Sequence, residues 1–581
     1  MTFARDRQGL WGDAVAALIL CLILSIAWAV HDWSALSALV LPDTDDVMRL
    51  QQIRDWIDGQ RFADLSQHRL GATPGLAMHW SRLPDLVPGA IIAALTSLFG
   101  RHASEIIAVI AWPAMLLGMA LFLTARIARA LGGAEIARTA LVVAALAYPS
   151  SAIFLPGRID HHGLQVVLLL AIVHALLARR GMMQGAVAGL AAAASIAIGL
   201  ETLPLLVVAG AVIVVRWIDR GSNAPLLGFG LALAIGLFVA RLALHADQFG
   251  YPACDGFTAI SWRVAELASF LPIGLAGAGY VVSRRDVRAA LAVLVAGIAV
   301  LGVWRFAPMC LSPYGAVDPL LAKLWLSNVG EAQPLLRARP EMILGHAGLM
   351  LVGIAASLWR VRVTRSGDWL TLLAFQLAAL ALTCVQLRGA YAGAILAAPA
   401  LAAMIAAARP RGTLALAAAW IGSAGMLYPL AASALAPAEP SVAGPSNTTG
   451  SCTDPQALAR LAPLEGRLIA PLDLGAYAVG ASKLSVVGAP YHRNNDGNAA
   501  VYRFFLGSPE GARRIAAHWQ LRYVALCGGS FGEIGKPSPK TLLGQLRAGR
   551  APGWMRRIEA SRDDLTLFSI EPRLLVAPAK R

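Results

Sequence analysis

Long apolar runs separated by short polar loops recur from the start of the chain to about Ala436, and most approach the ~20 residues that a bilayer-spanning helix needs. The first, Ala14 to Val30, follows the charged head Arg5-Asp6-Arg7. No small-residue cleavage site precedes the polar stretch from His31, so the pattern predicts a retained first helix rather than a removed signal segment. Counting spans gives about thirteen transmembrane helices. The segment Leu86 to Gly100 is left over as a re-entrant or interface-lying helix. Beyond Ala436 a Pro-, Gly-, Ser- and Asn-rich stretch opens a linker. Strand-like runs, Arg467 to Ala470 and Leu521 to Leu526, then alternate with helical patterns such as Pro509 to His518. The predicted fold class is a polytopic α-helical membrane protein over residues 1–435, followed over 436–581 by a soluble extracytoplasmic α/β domain, an ordinary size at roughly 140 residues.

Composition supports this division. Residues are 57% hydrophobic and 14% charged, and the mean hydropathy is +0.62, which excludes a soluble protein. A net charge of +15 in a soluble protein would suggest nucleic acid. Here the Arg residues cluster in short loops between apolar runs, so they read as topology signals, with membrane lipids and not nucleic acid as surroundings. Placing Arg126/Arg129, Arg179/Arg180, Arg216/Arg220, Arg284/Arg285/Arg288, Arg360/Arg362/Arg365 and Arg409/Arg411 in the cytoplasm predicts a cytoplasmic amino terminus and a periplasmic or extracellular C-terminal domain, in a bacterial-type inner membrane. Outer loops then cover 31–105, 150–163, 245–263 and 306–342, and Glu201 and Arg388 fall on the same side. Of six Cys, Cys21 and Cys384 lie in apolar runs, whereas Cys254, Cys310, Cys452 and Cys527 fall in outer regions where an oxidising compartment permits disulfides.

All candidate chemistry falls on that outer face. Asp160-His161-His162, preceded by Arg158, sits in the loop Pro156 to Gly163 between two apolar runs, where carboxylate and imidazole are expensive groups that mark function. Asp43-Thr44-Asp45-Asp46 follows the first span and precedes an amphipathic helical pattern from Met48 to Arg54. As a helix cap the acidic run needs no further role. Together with Asp160 and His162 it offers a carboxylate and imidazole ligand set for a hard divalent ion such as Mg²⁺ or Mn²⁺. Glu331 lies in a long outer loop, and Arg388 stands between two apolar runs, either snorkelling to the interface or holding a phosphate. His79-Trp80-Ser81-Arg82 suits sugar stacking or interfacial anchoring, and Tyr491 to Asn495, with His492, reads as an acceptor-groove lining or a polar loop closing a strand. Asn447-Thr448-Thr449 matches a glycosylation sequon and reads as chance.

The order of these motifs resembles the catalytic subunit of oligosaccharyltransferase. Asp45-Asp46 after the first helix, Gly157 to His162, Val329 to Pro334 in the long loop, Arg388 near the last spans and an outer C-terminal domain stand in the same order as that family's motifs. The resemblance implies a GT-C fold, with Asp46, or Asp45 in the alternative register, as the first-loop carboxylate at the metal. It makes Asp160 and His162 further ligands, Glu331 the residue that meets the acceptor, and Arg388 the group that binds the donor phosphate, with His161, Arg158 and His79 nearby. The family's Trp-Trp-Asp acceptor motif is incomplete: the matching stretch is Ala470-Pro471-Leu472-Asp473-Leu474-Gly475-Ala476-Tyr477, in which the Asp-x-Gly core persists and both Trp are missing.

The expected activity is therefore metal-dependent glycosyl transfer from a polyprenyl-(pyro)phosphate carrier to a lipid, polysaccharide or protein acceptor. A transporter or flippase of lipid-linked sugars would place polar groups near the midplane and often shows internal repeats, neither of which is evident. A metal-independent polysaccharide ligase or polymerase would share substrate and compartment.

Overall fold

The computed structural model describes residues 2–178, 181–312, 314–435, 452–558 and 565–575. Arg179/Arg180, the linker from 436 to 451 and the Asn447 sequon lie outside them. Among the described residues, eight helices are long and apolar enough to cross a membrane, or nine if the bent pair Thr413–Ser423 and Leu427–Ala434 is one span. The apolar helices His162–Leu177 and Met182–Ile198 are too short to qualify, so by length and composition eight or nine spans stand among the described residues where the hydropathy pattern predicts about thirteen. The left-over segment forms its own helix, Leu86–Phe99, which breaks from the long helix Arg101–Gly132 at Gly100.

Small residues let the helices approach closely where no hydrophobic driving force exists between them. Gly185 shows why: a Cβ there would stand 1.9 Å from the Pro225 carbonyl, so helices Met182–Ile198 and Ala224–Ala243 meet backbone to backbone. Helix Gly389–Ala408, mostly Ala, is buried along nearly its whole length and packs against Pro340–Thr364 and Gly367–Val385. It carries Arg388 to its place at the helix start.

The C-terminal part is a five-stranded mixed sheet in the order Ser485–Val486, Arg467–Ile469, Tyr523–Cys527, Leu565–Ile570, Met555–Arg557, the first three strands parallel and the rest antiparallel. Its edge is not free. Val486 N–H donates to Arg69 O at 2.7 Å and Gly71 N–H to Val486 O at 2.9 Å, so the first loop adds a bridge to the sheet. Helix Leu472–Ala481 packs on helix Thr44–Ile57, with Tyr477 Oη donating to Leu41 O at 3.0 Å and Arg54 Nη1 to Gly480 O at 3.0 Å. The long loop contributes as well, since Val317 and Leu321 are buried in one cluster with Ile469, Phe504 and Val524.

Both outer Cys pairs are joined, Cys254 to Cys310 and Cys452 to Cys527, and Cys21 and Cys384 are free. Cys452 opens the described C-terminal part and Cys527 ends a central strand, 75 residues apart, so this bridge ties the entry of the domain to its sheet. Non-reducing peptide mapping is expected to recover both linked pairs, and Cys452→Ser to cost the domain about 2–5 kcal/mol in denaturant unfolding. Four alkylatable thiols in native protein would contradict it.

Candidate active site

Polar groups from distant segments meet at one end of the helices. Helix Thr44–Ile57 is capped by Asp43, whose extended backbone lets its side chain accept from Asp45 N–H at 3.0 Å. Asp45 and Asp46 occupy the first turn, where the helix dipole favours carboxylates. Cap and site are the same residues in two roles. Gly157, at φ +90°, allows the turn before Arg158, since a Cβ there would lie 2.8 Å from Pro42. That turn aims Arg158 at the first loop, where its Nη1 pairs with Asp43 Oδ2 at 3.0 Å and Asp46 Oδ2 at 3.2 Å. Helix His162–Leu177 begins next. Glu331 and Arg388 are locked together through their backbones, Arg388 N–H donating to Glu331 O at 3.1 Å and Leu387 N–H to Gln333 O at 2.9 Å.

The side chains form one continuous network. Asp160 Oδ1 receives His161 through its backbone N–H at 2.5 Å and its ring Nδ1, and Arg49 approaches at 3.9 Å. His161 Nε2 meets Glu201 Oε2 at 2.8 Å. Arg388 donates from Nη1 to Glu201 Oε1 at 3.1 Å and from Nη2 to Glu331 Oε1 at 3.0 Å. His162 Nε2 lies 3.4 Å from Asp160 Oδ2 and 3.6 Å from Glu331 Oε2, so three potential ligand atoms converge on one point.

Burial and like charge dominate the electrostatics. Burial raises the Asp45 carboxyl well above its ordinary range, with the charges of Asp160, Asp43 and Glu331 acting in the same direction. Burial also raises Asp160, but His161 and His162 outweigh it and hold this carboxyl low. His161 is driven up to about 10, burial opposing and the carboxylates of Asp160 and Glu201 prevailing. It is therefore a buried cation between two carboxylates.

Each residue singled out in the sequence has a defined place. Asp45, His161, His162, Glu331, Arg388, Asp473, His79 and His492 line one cavity of about 1010 Å³. Asp46 does not line it. Its carboxylate is fully buried, Oδ1 accepting from Asp160 N–H at 2.8 Å, and Oδ2 has no hydrogen-bond donor although Arg158 is near. Asp160, 4% exposed, stands just behind the wall. Glu201 was not singled out beforehand, and its only sequence signal is an acidic side chain in a short loop on the same predicted face. Asp255, Tyr314 and Tyr391 join the site with no local motif at all.

The donor set fits a divalent ion: Asp160, His161 and His162 offer ligand atoms within 4.8 Å of one another, and Asp45 and Glu331 add oxygens on the cavity side. Both His161 nitrogens are engaged by carboxylates, which leaves His162 Nε2 as the imidazole donor.

No family model matches the chain, and no curated protein does. Solved structures of the archaeal oligosaccharyltransferase from Archaeoglobus fulgidus do match in three dimensions. The complex with an inhibitory peptide and a dolichol-phosphate is 15% identical with a TM-score of 0.64, covering 88% of this chain and 69% of that one. The complex with Zn and sulfate is 15% identical, TM-score 0.62, over 88% and 68%. The form tethered by a disulfide to an acceptor peptide containing the NVT sequon is 14% identical, TM-score 0.64, over 88% and 69%. At this identity the likeness establishes the fold: a GT-C membrane architecture with a C-terminal sheet-containing domain.

Proposed function

We propose that the chain is a metal-dependent membrane glycosyltransferase, moving a sugar or oligosaccharide from a polyprenyl-phosphate or polyprenyl-pyrophosphate carrier to an acceptor on the outer face of a bacterial-type inner membrane, with residues 436–581 as a periplasmic domain over the site. The observation that carries it is the convergence of Asp45, His162, Glu331 and Arg388 on one cavity at the ends of apolar helices, with Asp160 directly behind its wall against His162. The fold of a protein solved with a dolichol-phosphate supports the choice of donor.

Asp45, Asp160 and His162 would hold Mg²⁺ or Mn²⁺, which offsets the negative charge that develops on the leaving phosphate. Arg388 supplies a planar pair of N–H donors suited to that phosphate; Glu201 and Glu331 hold them in orientation beforehand. Glu331 is half-buried at the cavity wall, where desolvation is outweighed by Arg388 and by His162 at 3.6 Å, which bring its carboxyl down to about 2, so at neutral pH it accepts hydrogen bonds from an acceptor and does not donate them. Asp473, in the first turn of helix Leu472–Ala481, lines the part of the cavity formed by the C-terminal domain and would contact the acceptor. Because both Trp of the sequon-reading motif are missing, the acceptor is open among lipid, polysaccharide and protein.

The test is transfer from a labelled pool of polyprenyl-linked sugars in membranes containing the protein, with and without EDTA. Transfer is expected to disappear in chelator and to return with Mg²⁺ or Mn²⁺. Undiminished transfer in chelator would point to a metal-independent ligase or polymerase, and carrier translocation without transfer to a flippase.

A further inference from the structure

A second titratable cluster that the steps above do not use borders the same cavity, reaching it through His492, His79 and Tyr314. Asp255, with a side chain only 3% exposed, accepts from His492 Nε2 at 2.7 Å and from Arg493 Nε at 2.7 Å and Nη2 at 2.6 Å. Arg493 also donates to the carbonyls of Ala77 and Met78 at 3.3 and 3.1 Å, so three chain segments fix the carboxylate. The adjacent Cys254–Cys310 bridge adds a fourth. The His492 ring packs at 4.5 Å on His79 and at 5.4 Å on Tyr314, and all three rings line the cavity. Tyr314 feels the charges of Arg388, Glu201 and Glu331, which brings this cluster within reach of the phosphate-side groups.

With Nε2–H donated to Asp255, Nδ1 is the ring nitrogen left to act as an acceptor. No described residue hydrogen-bonds it. An imidazole oriented by a buried carboxylate, with its second nitrogen open to a cavity, is built to accept a proton. Such a base suits an oxygen nucleophile. A hydroxyl attacks through a lone pair and sheds its proton as its charge rises, whereas an amide nitrogen has no free lone pair and gains little from a base of this strength. The aromatic faces of Tyr314, Trp325 and Tyr502 on the cavity wall suit the apolar faces of a sugar ring.

We propose that the Asp255–His492 pair is the general base for a saccharide hydroxyl, so that the acceptor is a sugar and not an asparagine amide. The acceptor oxygen forms a bond to the anomeric carbon of the donor. The anomeric carbon–phosphate oxygen bond breaks, its electron pair leaving with the carrier (pyro)phosphate, and the hydroxyl proton passes to His492 Nδ1 and on to solvent. The inference rests on the glycosyltransferase assignment. The titratable and charged groups facing His492 are Asp255, Arg493, His79 and Tyr314.

The experiment uses the full-length protein in proteoliposomes, a polyprenyl-linked donor pool labelled in the sugar, and two acceptor probes, a membrane polysaccharide fraction and an Asn-Ala-Thr peptide. Label is expected in the polysaccharide. His492→Gln is expected to lower kcat about 100-fold with donor KM unchanged, and to flatten the acid limb of the pH profile; Asp255→Asn should act in the same direction. A structural role would instead raise donor KM or lower protein recovery, and leave the limb in place. Label on the peptide, or wild-type kcat in His492→Gln, would overturn the inference alone. Release of carrier, measured with both probes present, tests the underlying assignment: if wild type and Asp160→Ala release equally little, both fall.

Discussion

Asp160→Ala is expected to lower glycosyl transfer by about 1,000-fold or more, roughly 4 kcal/mol of transition-state stabilisation. The Asp160 carboxylate meets three basic side chains at once. Its Oδ1 takes both His161 contacts and faces Arg49, its Oδ2 faces His162, and its backbone N–H is held by Asp46. Deleting the carboxylate removes a proposed metal ligand and leaves the buried cations Arg49 and His161 undercompensated, so a disturbed fold would add to the loss. Asp160→Asn separates the two effects, because it keeps the volume and one acceptor oxygen while removing the charge. Transfer should fall to a similar extent in the Asn variant while thermal stability in detergent stays near wild type. Retention of a tenth of wild-type transfer by Asp160→Asn would remove the carboxylate from the chemistry.

How far such a site can be read from sequence depends on whether its cost is local. Asp160-His161-His162 stood out because charge beside a bilayer is expensive wherever the chain later goes. The membrane class was legible for the same reason, through hydropathy, although eight or nine helices and not thirteen are long and apolar enough to cross among the described residues. Glu201 was not, since one acid in a short loop is cheap by itself, and only the approach of residues 160–162 gives it partners. Asp255 and His492 are 237 positions apart and share no pattern. The C-terminal domain carried a second hidden dependence. Its strands and the helix Pro509–His518 fall close to where periodicity places them, yet part of its core comes from Val317 and Leu321, in a loop assigned to the membrane part.

Register is the remaining ambiguity, and it yields the last prediction. Consecutive residues on a helix point about 100° apart, so Asp45 and Asp46 cannot both face the cavity. Packing decides between them. Val47, Leu50 and Ile53 are buried, Val47 meets the close approach of Gly480, and this orientation sends Asp46 inward to Asp160 N–H and Asp45 to the cavity. Burial pushes the Asp46 carboxyl up to about 7, with Arg158 opposing, and it does not reach the cavity, so an amide reproduces much of what it does, whereas a divalent ion would draw the raised Asp45 carboxyl into its charged form. Asp46→Asn keeps an acceptor for Asp160 N–H, and Arg158 keeps its pair with Asp43 at 3.0 Å. It is therefore expected to retain transfer within about threefold, a ΔΔG‡ under 1 kcal/mol. Asp45→Asn replaces a cavity carboxylate whose charge the divalent ion would use, and is expected to lose about 100- to 1,000-fold. Measuring kcat/KM for the two variants in parallel, at saturating Mn²⁺ and again at limiting Mn²⁺, ties the difference to the ion: only Asp45→Asn should recover partly as Mn²⁺ rises. The reverse ranking would mean that Asp46 turns to the cavity when donor binds, which requires helix Thr44–Ile57 to rotate against Leu472–Ala481 and so moves the C-terminal domain with it.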